Sequence, residues 1–292
     1  MLTRRDLFPL AISSLIAASA SAPARARDLA DIDAAIAAIE AKNGGRLGVA
    51  LLDTRDGTPA GHRAEERFPM CSTFKVLAVA ATLARVDAGA EQLARSIPIT
   101  QADLLSYAPV TKSHLDSGMT VAELCAAAIT VSDNTAANLL LASLGGPAAL
   151  TRYAQSLGDR ITRLDRIEPD LNEGAPGDIR DTTTPAAMAR TVAKLTTGDP
   201  LSPSSREMLM GWMIDCKTGA AKLRAGLPNG WRVGDKTGAG GHGSSNDVAV
   251  IWPKDGAPLI VASYLTETDG WSDEKRNAVH AEVGRIVARR FG

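Results

Sequence analysis

The strongest constraint on this chain is the order in which four short motifs occur. Ser-x-x-Lys and Lys-Thr-Gly each occur twice, and either motif is weak evidence alone. One copy of each, Ser72-x-x-Lys75 and Lys236-Thr237-Gly238, flanks both Ser132-Asp133-Asn134 and Glu168-x-x-x-Asn172. Chemistry that uses all four motifs requires a fold that brings distant parts of the chain to one site.

The first Ser-x-x-Lys copy precedes an apolar run over residues 74–86, which predicts a buried helix. Residues three apart share a helix face, so the ammonium of Lys75 can reach the hydroxyl of Ser72. A serine hydroxyl needs a neighbouring base or cation to become a nucleophile, and Lys75 can supply either. The second copy, Ser272-x-x-Lys275, lies in a charged amphipathic stretch and predicts a solvated helix face.

The two Lys-Thr-Gly copies differ in the same way. Lys217-Thr218-Gly219 lies between two helical patterns and predicts a junction between helices. Lys236-Thr237-Gly238 follows a short strand pattern and precedes a glycine-rich turn and another apolar run, which predicts strand, turn and strand. An edge strand there can offer a lysine charge, a threonine hydroxyl and a backbone N–H to one substrate.

In this order, the four motifs resemble those of the class A serine β-lactamases. The resemblance covers nearly the whole mature chain, and residues 163–181 resemble the Ω-loop of that family. Strand patterns at residues 46–53, 231–235, 248–252 and 259–265 enclose a mostly helical middle. The expected fold is α/β (α+β), with an antiparallel sheet built from both chain ends, flanked by helices, and an inserted all-helical domain. We predict an export signal at residues 1–26, a discontinuous sheet domain at 27–65 and 214–292, and a helical domain at 66–213.

The resemblance implies a role for each catalytic residue. Ser72 attacks the lactam carbonyl to form an acyl-enzyme, and the backbone N–H groups of Ser72 and Ala239 bind the oxyanion. Ser132 passes a proton to the lactam nitrogen. Glu168 activates the water that hydrolyses the acyl-enzyme, while either Lys75 or Glu168 deprotonates Ser72 during acylation.

The same resemblance implies the substrate-binding residues: Asn134, Asn172, Lys236, Thr237, Gly238, Tyr107, Ser245 and Arg276. Arg166 and Asp181 are expected to pair and close the Ω-loop. The family usually has an arginine where this chain has Ser245, so another cation is needed for the substrate carboxylate. Arg276, as in the cefotaxime-hydrolysing branch, and Lys222 are the two candidates.

Composition excludes several other functions. The chain has 32 basic and 33 acidic residues and a net charge of −1, so neither nucleic acid nor an anionic membrane is an expected partner. The four histidines have no spacing that could hold a catalytic zinc, and no metal or cofactor is expected. We expect a monomer whose partners are small β-lactam molecules.

Two features concern the compartment. Arg4-Arg5 and the small-residue apolar stretch over residues 9–22 predict an export signal, of the twin-arginine or the plain secretory type, and no stable membrane anchor. The expected location is therefore the periplasm or the medium. Three cysteines leave at least one thiol free, and we expect no disulfide. Some members of the family that the chain resembles pair a cysteine at the position of Cys71 with a second cysteine, and this chain has Gly240 at that second position.

Two other functions use much of the same chemistry. A D-alanyl-D-alanine peptidase shares the serine, lysine and Lys-Thr-Gly residues but has no matching Glu168–Asn172 loop. A non-hydrolysing β-lactam sensor domain acylates but does not have the deacylating glutamate.

Overall fold

The structure is a computed structural model that describes residues 21–55, 57, 59–254 and 256–292. Most of the predicted export signal, residues 1–20, therefore lies outside the described residues. Within the described part of the chain, no helix is long and apolar enough to span a membrane.

Most of the helices lie between the first strands and the last three strands of the chain. The helices are α1 Ser21–Asn43, α2 Phe74–Asp87, α3 Val121–Thr130, α4 Asn134–Leu144, α5 Pro147–Ser156, α6 Pro185–Thr197, α7 Pro203–Ile214 and α8 Asp273–Phe291. The strands are β1 Arg46–Asp53, β2 Pro59–Ala60, β3 Phe68–Pro69, β4 Ser96–Ile97, β5 Met119–Thr120, β6 Thr182–Thr183, β7 Arg232–Ala239, β8 Ser245–Trp252 and β9 Leu259–Thr266. Short 3₁₀ segments are Cys71–Thr73, Gln101–Asp103, Thr111–His114, Asp170–Asn172 and Leu223–Gly226.

Both ends of the chain build the central sheet. Its order is β2-β1-β9-β8-β7, and every neighbouring pair is antiparallel. The strands predicted from the sequence are all present, and the α/β fold class is confirmed. Strand β7, which carries Lys236-Thr237-Gly238, lies at one edge of the sheet, where a substrate can approach its backbone.

Each face of the sheet packs against a separate apolar cluster. In β8, Val248 and Val250 face the cluster formed with helices α2 to α7, while Ala249 and Ile251 face the cluster formed with α1 and α8. Alternating side chains point to opposite faces of a strand, so the part of β8 that packs on both clusters, residues 248–251, is apolar. The helical part of the chain therefore packs on the face of the sheet opposite the terminal helices.

Helix α2 begins directly after the 3₁₀ segment Cys71–Thr73, here called the nucleophile turn. Residues 74–83 of the helix are all buried, as the apolar run predicts. Cys71 has a φ of 44°, a left-handed conformation that costs a non-glycine residue about 1–3 kcal/mol. Ser72 is thus presented on a strained turn at the start of a rigid buried helix.

Candidate active site

A cleft of about 420 Å³ collects most of the residues expected from the sequence. Its lining includes Ser72, Tyr107, Ser132, Asn134, Asn172, Thr237, Gly238, Ala239, Ser245 and Arg276. The remaining charged groups, Lys75, Glu168 and Lys236, have side chains at most 1% exposed. The four motifs therefore converge on one site.

Ser72 and Lys75 meet at the same carboxylate. The Ser72 hydroxyl donates a hydrogen bond to Glu168 Oε1 at 3.0 Å, and Lys75 Nζ lies 3.1 Å from that oxygen. The ammonium of Lys75 also donates to Asn134 Oδ1 at 2.7 Å and to the Ser132 carbonyl at 2.8 Å. Burial lowers the pKa of Lys75, and the charge of Glu168 opposes that shift.

One expected contact differs. The Ser72 hydroxyl bonds to Glu168 and not to Lys75, because the lysine ammonium is held by acceptors on the Ser132-Asp133-Asn134 segment. Ser72 also lies on the 3₁₀ turn rather than inside the α-helix on which the spacing argument depended. The base that touches the hydroxyl in this structure is the carboxylate.

Glu168 is fixed by two asparagines. Asn172 Nδ2 donates to Glu168 Oε2 at 2.5 Å. Asn138 donates to the Glu168 carbonyl at 2.9 Å and accepts from its backbone N–H at 3.0 Å. The sequence analysis missed Asn138, although its position four residues after Asn134 on helix α4 places both on one helix face.

The Ω-loop, residues 163–181, is closed by a buried carboxylate. Asp181, whose side chain is 1% exposed, accepts from Arg166 Nε at 2.6 Å. It also accepts from the backbone N–H groups of Asp165 at 2.7 Å and Arg166 at 2.9 Å. A carboxylate with three donors in a buried position contributes more than an exposed ion pair does.

Two ammonium groups flank the hydroxyl of Ser132. Lys236 Nζ donates to Ser132 Oγ at 2.9 Å, and Lys75 Nζ does so at 3.3 Å. Burial, together with the charge of Lys75, lowers the pKa of Lys236 to about 7. Asp133 caps helix α4 by accepting from Ala136 N–H, which fixes the backbone beside Ser132.

The second Lys-Thr-Gly copy also reaches the cleft. It lies between α7 and the 3₁₀ segment Leu223–Gly226, as a junction should, but the hydroxyl of Thr218 lines the site and lies 2.6 Å from that of Thr237. A backbone hydrogen bond from Lys217 N–H to the Thr130 carbonyl holds this loop in place. The local sequence gives no signal for the hydrogen bond that holds the loop, because Thr130 lies at the end of helix α3, far from Lys217 in the chain.

Both candidate cations for the substrate carboxylate line the cleft. Arg276 donates to the hydroxyl and carbonyl of Thr268 and to Asp273, each at 3.0 Å. Lys222, which is 8% exposed, donates to the hydroxyl of Ser245. All three guanidinium nitrogens of Arg276 thus donate to other groups of the protein. The ammonium of Lys222 instead donates to Ser245, which is itself a predicted substrate-binding residue.

A buried histidine supports Ser245 from behind. His280 is fully buried, and its Nε2 lies 3.2 Å from Ser245 Oγ and 3.1 Å from the Ser245 carbonyl. Burial and the nearby charge of Lys222 lower the pKa of His280 well below its ordinary value, so the ring is neutral.

The described cysteines are free thiols. A Cβ atom added to Gly240 would lie 2.7 Å from Cys71 Sγ, so Gly240 does face Cys71. Burial raises the pKa of the Cys71 thiol to about 12. Among the described residues, no three His, Cys, Asp or Glu side chains are grouped so that they could hold a metal ion.

Comparison with known proteins agrees with this geometry. Residues 31–291 match the model of the β-lactamase enzyme family. The chain is 47% identical over 284 residues to β-lactamase CTX-M-8 of Citrobacter amalonaticus, covering 97% of this chain and 96% of that protein. It is 50% identical over 275 residues to β-lactamase L2 of Stenotrophomonas maltophilia, covering 94% and 90% of the two chains. The structure of an ancestral class A β-lactamase matches with a TM-score of 0.87 and 60% identity, covering 89% of this chain and 100% of that one. The chain therefore belongs to the class A β-lactamases.

Proposed function

We propose that this β-lactamase opens the ring of penicillins and cephalosporins through an acyl-enzyme on Ser72, and so confers resistance to them. The observation that carries the proposal is the position of the Glu168 carboxylate, 3.0 Å from the Ser72 hydroxyl. A carboxylate at that distance can serve as the base that activates the water for hydrolysis of the acyl-enzyme. Its presence favours turnover over a peptidase or a non-hydrolysing sensor.

In the acylation step, Ser72 Oγ attacks the lactam carbonyl carbon while its proton passes to Glu168 or Lys75. The negative charge that develops on the carbonyl oxygen is stabilised by the backbone N–H groups of Ser72 and Ala239, both in the lining of the cleft. The lactam C–N bond then breaks, and the nitrogen takes the proton of the Ser132 hydroxyl. Lys75 replaces that proton and recovers the one taken from Ser72, either directly or from Glu168, whose Oε1 lies 3.1 Å away, so Glu168 is again a carboxylate when the step ends. The ammonium of Lys236 also lies beside the Ser132 hydroxyl.

In the deacylation step, Glu168 removes a proton from a water molecule as the water attacks the ester carbon. The ester C–O bond breaks, Ser72 recovers its proton, and the product leaves as a carboxylic acid. Asn172 and Asn138 hold the glutamate at both its side chain and its backbone. Because the base is already held in position, no further conformational entropy is lost in placing it when the reaction occurs.

Binding roles follow from which groups face the cleft. Asn134 accepts from Lys75 through Oδ1, which leaves its amide NH₂ to donate to a carbonyl on the substrate side chain. Tyr107, 49% exposed at the rim, supplies an aromatic wall. Gly238 places the backbone of β7 next to the substrate.

For the substrate carboxylate we propose Lys222 together with Ser245 and Thr237. Lys222 lines the cleft, and its ammonium donates to the Ser245 hydroxyl. Arg276 then has a secondary role, since Thr268 and Asp273 take its donors.

The remaining proposals concern organisation. The sequence supports an export signal at residues 1–26, a sheet domain at 27–65 and 214–292 and a helical domain at 66–213. It also supports export to the periplasm or the medium, with the twin-arginine route suggested by Arg4-Arg5. We propose that the protein is a monomer.

The test is hydrolysis of a chromogenic cephalosporin by the purified mature protein, with intact-mass measurement on the same mixture. Sustained turnover without accumulated adduct is the expected result. A stable adduct on Ser72 without turnover would favour the sensor, and release of D-alanine from a cell-wall peptide would favour the peptidase.

A further inference from the structure

The two N–H donors of the proposed oxyanion hole belong to elements that are far apart in the sequence. One N–H belongs to Ser72 in the nucleophile turn, and the other belongs to Ala239 at the end of edge strand β7. Donors of this kind act only when they are held close to their productive geometry. Some contact must therefore fix the distance between the turn and the strand.

Asn246 on strand β8 makes such a contact. It is 1% exposed, and its Nδ2 donates to the carbonyl oxygens of Pro69 and Met70, each at 3.0 Å. These are the two residues that lead into the nucleophile turn. Because both partners are carbonyl oxygens, only the NH₂ end of the carboxamide can face them.

The register of the sheet explains how the side chain reaches that far. Asn246 pairs directly with Gly238 across β8 and β7. A Cβ atom added to Gly238 would lie 3.2 Å from Asn246 Nδ2 and 3.0 Å from the Met70 carbonyl. The missing side chain at Gly238 thus leaves the space through which the asparagine crosses β7, next to Ala239.

The turn needs this support because it is strained. Cys71, which follows Met70 and precedes Ser72, has a φ of 44°. A residue held in that conformation persists only where surrounding contacts over-determine it. Asn246 binds the two carbonyls immediately before the strained residue, and so restrains the direction in which Ser72 is presented.

From these contacts we propose that Asn246 is a positioning residue for the reaction: its carboxamide holds the nucleophile turn against β7 and so sets the gap between the two oxyanion donors. This inference rests on the proposed function. Asn246 itself does not contact the substrate. Gly238 has no side chain to block the space that the Asn246 carboxamide occupies.

The test compares two variants at this position with a matched control. Asn246→Leu keeps a similar volume and removes both donors. If the leucine variant does not fold, Asn246→Asp is measured in its place, because aspartate keeps the shape of the side chain. Val250→Ala, in the same strand and 1% exposed, loses core packing without touching the nucleophile turn. For each protein we would measure Tm, the separate acylation and deacylation rates, and inhibition by phenylboronic acid, whose tetrahedral serine adduct mimics the transition state.

The expected result is a fall of about 10- to 100-fold in both chemical rates for the Asn246 variants, the size that a small misplacement of reacting groups can cause. Boronate affinity should fall with them, and no acyl-enzyme should accumulate, because both steps use the same donors. Val250→Ala should lower Tm and leave the boronate affinity of the folded protein unchanged.

Asn246 variants that lose Tm but keep wild-type rates and boronate affinity would overturn the inference. A wild-type protein that neither hydrolyses the cephalosporin nor binds the boronate would instead overturn the proposed function, and this inference with it.

Discussion

Replacing Glu168 with glutamine separates the two chemical steps. The substitution keeps the size of the side chain and removes the charge and the proton-accepting oxygen that lies 3.0 Å from Ser72 Oγ. A positioned general base typically contributes about 10²–10⁴ in rate, which corresponds to about 3–5 kcal/mol of barrier. Deacylation should slow by that factor, since the glutamine amide cannot take a proton from the attacking water.

Acylation should fall less, and the reason lies in Lys75. Burial lowers the pKa of this lysine, while the charge and hydrogen bond of Glu168 raise it. Without the carboxylate the pKa of Lys75 falls further, so a larger fraction of the lysine is neutral and able to accept a proton. Glu168→Gln should therefore react with substrate and then stop as the acyl-enzyme.

Intact-mass measurement after mixing with a cephalosporin detects the acyl-enzyme, and single-turnover kinetics gives the acylation and deacylation rates. The matched control is Glu173→Gln on the same loop, whose carboxylate is 52% exposed and pairs with Arg166 and Arg180. That control should turn over at a rate close to that of the wild type. Turnover by Glu168→Gln within tenfold of the wild type, with no adduct, would refute the reasoning.

Three further results are expected. Asp181→Asn should lower the free energy of unfolding by about 1–3 kcal/mol, because it leaves buried donors poorly paired, and thermal unfolding should show a Tm lower by several degrees; an unchanged Tm would contradict the buried pairing with Arg166. Lys222→Met should raise KM for carboxylate-bearing substrates by about tenfold, roughly the loss of one charged hydrogen bond, and more than Arg276→Met does; the reverse order in steady-state kinetics would assign the carboxylate to Arg276. The pKa of Lys236 is about 7, so its charge is lost as pH rises through that value, and kcat/KM should fall there. Lys236→Arg stays charged and should move the fall to higher pH, whereas an identical pH profile would exclude Lys236 as the titrating group.

Much of the site could be predicted because the motifs are local. A serine, a lysine three residues later and an apolar run encode a nucleophile at the start of helix α2, and that helix is present. The alternating patterns likewise predict the strands, including the edge strand that carries Lys236. Such signals depend on the periodicity of a single segment, which the sequence contains in full.

The sequence by itself determined the motif residues, the four long strands on either side of a mostly helical middle, and the α/β fold class. Only the tertiary structure decided which groups touch: Ser72 bonds to Glu168, Thr218 joins Thr237, and Asn138 and Asn246 brace the two reacting elements. These contacts join segments far apart in the chain, so their geometry depends on how the helices and the sheet pack. Local periodicity contains no information on that packing, which the buried faces of the whole chain determine together.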